Sequence, residues 1–162
     1  MKLSRFFAYA GLAVIVAAGA IWYIMNDYYS RQASGQGLPA NQVVMYKNAN
    51  CQCCTRWAQH MEEAGFTVIQ KKTDNMAEVK AKYGIPHNME SCHTALVNGY
   101  ILEGHVPAKE VKKLLAEQPE ATGLTVPGMP IGSPGMEMPG KRSDTYKVLL
   151  LGTDSVSTFA AY

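Results

Sequence analysis

Cys51-Gln52-Cys53-Cys54 puts three sulfurs within four residues, and the only other cysteine, Cys92, lies far downstream. Thiols crowded in this way can exchange a disulfide, hold a metal, or lock as structural bridges. Cys51 and Cys54 have the two-residue separation of a thioredoxin-type redox dithiol, so a thiol–disulfide oxidoreductase has a basis in the sequence. Cys53 complicates that reading, because a third thiol beside the pair would scramble the bridge. Structural zinc usually takes its ligands as two separated pairs, and three crowded sulfurs with one remote sulfur fit that poorly. Thiolates that bridge several monovalent ions tolerate crowding, and copper(I) is the soft ion that thiolates and thioethers select. Two structural disulfides would force two of the three clustered cysteines to join each other.

The elements around the cluster follow from apolar patterning. Val43-Val44-Met45-Tyr46 reads as a buried strand that delivers the chain to the cysteine loop, and Thr55–Ala64 reads as a helix with Trp57 and Met61 inward and Gly65 as its stop. Cysteines between a strand and a helix N-terminus face unpaired N–H groups and the positive end of the helix dipole, which favours thiolate. Phe66–Gln70 reads as a second strand. Asn75 with Glu78 forms a capping box ahead of a helix that ends near Gly84. Asn98-Gly99 joins Thr94–Val97 to Tyr100–Leu102 as a hairpin, and Pro107 opens a helix with Val111, Leu114 and Leu115 inward. Residues 119–140, rich in Pro, Gly and Met, are expected to hold no regular structure. Tyr146–Leu151 and Val156–Ala160 pair as a terminal hairpin. This element order is that of a thioredoxin-like α/β domain, a mixed sheet with helices on its faces.

At the N-terminus, residues 6–25 are uncharged and mostly apolar, about 30 Å as a helix and therefore long enough to span a bilayer. Lys2 and Arg5 precede the run, and Trp22, Tyr23, Tyr28 and Tyr29 follow at its outer end, so the rest of the chain is expected to be exported. A cleaved signal ending at Ala18-Gly19-Ala20 is the alternative; the apolar run continues to Met25, which favours an uncleaved anchor. The expected organisation is an anchor over 1–25, a flexible linker over 26–42 and a domain over 43–162, tethered to the inner membrane on its periplasmic side. Beyond the anchor, 15 − 2 = 13 basic residues balance 13 acidic ones, which excludes an electrostatic nucleic-acid surface. No Ser-His-Asp order, phosphate-cradling loop or paired carboxylates support hydrolysis. Met129, Met136 and Met138 are thioether donors in a segment that forms no core element, which marks them, Met136 first, as copper ligands or relay sites. His60, one turn beyond Trp57, reads as a packed or hydrogen-bonded helix residue.

Taken together, Cys51-Gln52-Cys53-Cys54 with Trp57 and His60, Gly84-Ile85-Pro86, Ser91-Cys92-His93-Thr94-Ala95, Glu103-Gly104-His105-Val106-Pro107 and Val126-Pro127-Gly128-Met129-Pro130 through Gly135-Met136-Glu137 resemble the CopG-type copper-resistance proteins, long grouped as a domain of unknown function. The resemblance runs from about Val43 to Leu151. It implies a periplasmic thioredoxin-like domain whose Cys51, Cys53, Cys54 and Cys92 thiolates bridge a cluster of several copper ions, with interconversion of Cu(I) and Cu(II) as the proposed role. Gln52 stands where a small residue is common. In thioredoxin-like domains the residue entering the third strand packs on the cysteine loop, which places Cys92 there, and the loop Gly104-His105 borders the same site, making His105 the first non-sulfur ligand candidate. His93, next along the strand, is expected to face the opposite way from Cys92. A passive chaperone that passes ions to a periplasmic efflux partner, or a protein trading electrons with a partner there, remains open beside the dithiol oxidoreductase.

Overall fold

The computed structural model describes residues 16–27, 39 and 41–162. The chain divides into two units, Met1–Ser34 and Gly35–Tyr162. In the first, residues 16–27 form helix α1, with side chains exposed from 16 to 26. The start of the expected membrane-spanning run, residues 6–15, lies outside the described residues. Among the described residues no helix is long and apolar enough to cross a membrane.

The second unit is a mixed α/β domain around one seven-stranded sheet of order β2-β1-β3-β4-β5-β6-β7. Its elements are β1 (Gln42–Lys47), α2 (Gln52–Glu63), β2 (Thr67–Lys72), α3 (Met76–Lys82), β3 (His93–Val97), β4 (Tyr100–Glu103), α4 (Ala108–Glu117), β5 (Gly123–Thr125), β6 (Lys147–Leu151) and β7 (Val156–Ala161). β1 pairs parallel with β2 and antiparallel with β3, β4 pairs parallel with β5, and the remaining neighbours are antiparallel. The parallel pairs require crossovers, which α2 and α4 supply.

Alternation along the strands sorts the two faces. Val43, Met45, Ala95, Val97, Leu102 and Leu124 pack with Trp57, Ala58, Met61, Val111 and Leu114 in the main core, on the side of α2 and α4. Each such buried side chain contributes roughly 1.5–3 kcal/mol of transfer free energy. On the other face Leu96 and Ile101 pack with Ile85, Tyr46 and Tyr83, beneath α3. The N-terminus of α3 is capped as its sequence predicts, Asn75 Oδ1 accepting from Glu78 N at 3.2 Å.

β5 corrects the expectation that residues 119–140 lack regular structure. Between Pro119 and Pro127 three residues suffice, because β4 and β6 supply partners on both sides. A side chain at Gly123 would stand 1.9 Å from the Ile101 carbonyl oxygen, so glycine allows the approach. The terminal hairpin forms from β6 and β7, with a register shift at Val148/Leu149.

Candidate metal centre

β1 ends at Lys47, whose alternation places it on the same face as Val43 and Met45, under the loop that leads to α2. Its side chain is buried, and Nζ donates to the Cys51 carbonyl at 3.0 Å and to Thr55 Oγ1 at 2.5 Å. Cys51 is the N-cap of α2, its sulfur accepting from Cys54 N at 3.3 Å. The cysteine loop is thus fixed by a helix cap from above and a buried ammonium from below. Lys47 had no place in the site expected from the sequence; the signal was a lysine closing an apolar strand four residues before Cys51.

Cys92 reaches the loop from the strand side of the domain. It occupies the bend before β3, and its neighbour Ser91 is tied down by Glu103, whose Oε1 accepts from Ser91 N at 2.7 Å. The fully buried Glu103 carboxylate also accepts from Thr94 Oγ1 at 2.6 Å and pairs with Lys80. Burial raises the Glu103 pKa, and the bonds from Lys80 and Thr94 oppose the rise. The four cysteine sulfurs converge: those of Cys51, Cys53, Cys54 and Cys92 all lie within 4.8 Å of one another. Cys51 and Cys54 are joined as a disulfide, while Cys53 and Cys92 are free thiols. Cys53 Sγ lies 3.4 Å from Cys51 Sγ and 3.7 Å from Cys92 Sγ. Desolvation, with Cys53 as the next cause, pushes the Cys92 thiol up to about 12.

His105 joins them. Its Nε2 is 3.0 Å from Cys92 Sγ, and its Nδ1 is 2.8 Å from the Pro134 carbonyl oxygen. A carbonyl only accepts, so Nδ1 carries the proton and Nε2 presents its lone pair to the cysteines, as metal-ligating histidines do. Burial lowers the His105 pKa, keeping the ring neutral. His93 departs from expectation. Because β3 starts at His93, strand alternation does not extend back to Cys92, and His93 shares the face of Ala95 and Val97. Its Nδ1 is 3.4 Å from Cys92 Sγ, and its ring packs on Trp57 and His105 at centroid distances of 4.5 and 5.1 Å. Cys92, His93 and His105 form a second group of donors within 4.8 Å. Among the described residues His93 Nε2 is buried without a hydrogen-bond partner, and desolvation first, then the charges nearby, hold its pKa well below the usual range.

The Pro- and Gly-rich loop closes over α2. Gly135 has φ +84° and sits so near the helix that a Cβ there would be 2.7 Å from the Cys53 oxygen and the Trp57 nitrogen. Arg56 Nε donates to the Gly135 carbonyl at 2.9 Å. Met136, half-buried, follows directly, whereas Met129 and Met138 are exposed. His60 is a hydrogen-bonded helix residue as read, its Nε2 accepting from Ala108 N at 3.0 Å. His87 is at the surface beside Glu90. Soft sulfurs and a neutral imidazole with a free lone pair form a donor set suited to soft ions, once the Cys51–Cys54 bridge is reduced.

A profile of a family described as a protein of unknown function, DUF411, matches residues 89–136, a span that holds Cys92, His105 and Met136. No curated protein matches. Two solved structures do. Form 1 of copper resistance protein CopG is 42% identical with a TM-score of 0.71, the match covering 76% of this chain and 98% of that one. Form 2 is 43% identical with a TM-score of 0.71, covering 75% of this chain and 97% of that one.

Proposed function

Since the chain belongs to the family of the CopG copper-resistance proteins, we propose that it is a periplasmic copper-binding protein that holds several copper ions as cargo on Cys51, Cys53, Cys54 and Cys92. One observation carries this reading: four cysteine sulfurs, drawn from two distant stretches of chain, lie within 4.8 Å of one another. His105 serves as the nitrogen ligand through Nε2, and Met136 as a thioether at the loop side. The domain is thioredoxin-like in plan, the cysteine loop standing between the first strand and the N-terminus of the helix that follows. We propose further that the apolar N-terminal run, residues 6–25, tethers it to the inner membrane. Thiolates favour Cu(I) and an imidazole nitrogen also suits Cu(II), so the site supports interconversion of the two states in copper resistance, the electron being exchanged with a periplasmic partner.

A second reading, a thiol–disulfide oxidoreductase acting through Cys51 and Cys54, has the Cys51–Cys54 bridge in its favour. Anaerobic loading of the fully reduced protein with Cu(I), followed by metal analysis and X-ray absorption, separates the two. More than one copper per chain in sulfur coordination, with the stoichiometry falling in Cys53→Ser and Cys92→Ser, is the expected outcome. Dithiol reductase activity that survives both substitutions, with no copper retained against a Cu(I) chelator, would replace the copper reading with the enzymatic one.

A further inference from the structure

The bridge divides the donors. It consumes Cys51 and Cys54 and leaves Cys53 Sγ, Cys92 Sγ and His105 Nε2 in a row, 3.7 and 3.0 Å apart. Two thiols and an imidazole remain able to hold a soft ion after two sulfurs have been oxidised. Access is divided in the same way. Cys51 is half-buried and lines an open groove of about 660 Å³ with Asn50, Gln52, Thr55 and Arg56, whereas Cys54 is fully buried. The bridge is therefore approached by an outside thiol from the Cys51 side, with Cys54 as the leaving group.

We propose that the protein reduces Cu(II) with its own Cys51/Cys54 dithiol, storing the electrons beside the donors that keep the Cu(I) product. This rests on the copper-binding reading above. In the forward step two Cu(II) ions each take one electron; the two S–H bonds of Cys51 and Cys54 break, the S–S bond between them forms, and two protons pass to water. In the return step a dithiol reductant attacks the Cys51 sulfur as thiolate, Cys54 leaves as thiolate, and the donor's second thiol releases Cys51 by closing the donor's own disulfide. Electrons then enter as pairs through the groove and leave singly at the metal. Cys53 and Cys92 are not oxidised.

The test adds two equivalents of cupric sulfate to the fully reduced chain, with its four thiols, under anaerobic conditions. Electron paramagnetic resonance follows Cu(II). After the copper is stripped with a Cu(I) chelator in denaturant, alkylation and peptide fragmentation locate the remaining thiols. The expected result is loss of the cupric signal, 4 − 2 = 2 free thiols, and alkyl groups on Cys53 and Cys92 alone. A persistent cupric signal, retention of all four thiols, or a Cys54–Cys92 bridge, whose sulfurs are 3.6 Å apart, overturns the proposal. Cys51→Ser should keep its three thiols and the cupric signal; oxidation of that variant as fast as the unaltered chain also overturns it. Cu(I) added directly to the same preparation distinguishes the two levels. Binding of Cu(I) without reduction of Cu(II) refutes the dithiol step and leaves the copper-binding function intact, and failure to bind Cu(I) refutes both.

Discussion

Replacing His93 with leucine should make the metal-free, disulfide form of the protein more resistant to acid. The ring is fully buried, its Nε2 has no hydrogen-bond partner among the described residues, and its pKa lies well below the unfolded value of 6.5. A base with a depressed folded pKa contributes stability that is complete above the unfolded pKa and is lost as pH falls through it, because the unfolded chain gains a proton that the folded chain refuses. Between pH 7.0 and 5.5 the unfolded imidazole gains RT ln[(1 + 10^1.0)/(1 + 10^−0.5)], about 1.3 kcal/mol per histidine. His105, lowered by the same burial, brings the loss to as much as about 2.5 kcal/mol when it too stays neutral. Leucine at position 93 removes one of these two contributions. It also removes an unsatisfied buried nitrogen that costs roughly 1–3 kcal/mol. Against this stands the ring contact with Trp57, worth about 0.5–1.5 kcal/mol.

Urea unfolding at pH 7.0 and 5.5, followed by tryptophan fluorescence and extrapolated linearly, supplies the four free energies needed. The expected pattern is a His93→Leu protein at least as stable as the unaltered chain at pH 7.0, with an acid loss smaller by about 1.3 kcal/mol. The difference of differences cancels every carboxylate common to both proteins. Parallel losses in the two proteins would mean that His93 is not held neutral, and the account of its burial would fail.

Two further outcomes follow from the supports of the site. Gly135→Ala must hold a side chain at φ +84° against the Cys53 and Trp57 backbone, so it should lower stability by more than about 2 kcal/mol and weaken Cu(I) retention against a chelator; an unchanged urea midpoint would show that the loop does not rest on α2. Lys80→Met leaves the Glu103 carboxylate buried without its cation and should cost about 3–5 kcal/mol by urea unfolding. The double variant Lys80→Met/Glu103→Leu should recover much of that loss, and a double variant no better than the single one would contradict the ion-pair account.

The elements that carry local signals were legible in the sequence. A short apolar run gives β1, the spacing of Trp57 and Met61 gives α2, a capping box gives α3, and Asn98-Gly99 gives the turn between β3 and β4; α2 nevertheless begins at Gln52 rather than at the expected Thr55, its N-cap being Cys51. β5 carries no local signal, since three residues bounded by prolines become a strand only through partners distant in sequence. The convergence of Cys92 and His105 on the cysteine loop was legible for a different reason. It was implied by the family resemblance, and the structure realises it by bringing the start of β3 and the end of β4 together at one end of the sheet.

What escaped the sequence was polar pairing across and beneath that sheet. Lys47, Lys80 and Glu103 look like ordinary surface charges in the sequence, yet all three are buried; Lys47 and Glu103 each fix a piece of backbone at the site, and Lys80 pairs with Glu103. Lys47 holds the Cys51 carbonyl and Glu103 holds the Ser91 amide, so the two cysteine-bearing segments are clamped independently of the sulfurs. A pocket held by backbone clamps keeps its shape whether Cys51 and Cys54 are bridged or free. The Cys53–Cys92–His105 row therefore stays assembled while the neighbouring pair changes oxidation state, which a site held together only by its own sulfur–metal bonds could not do.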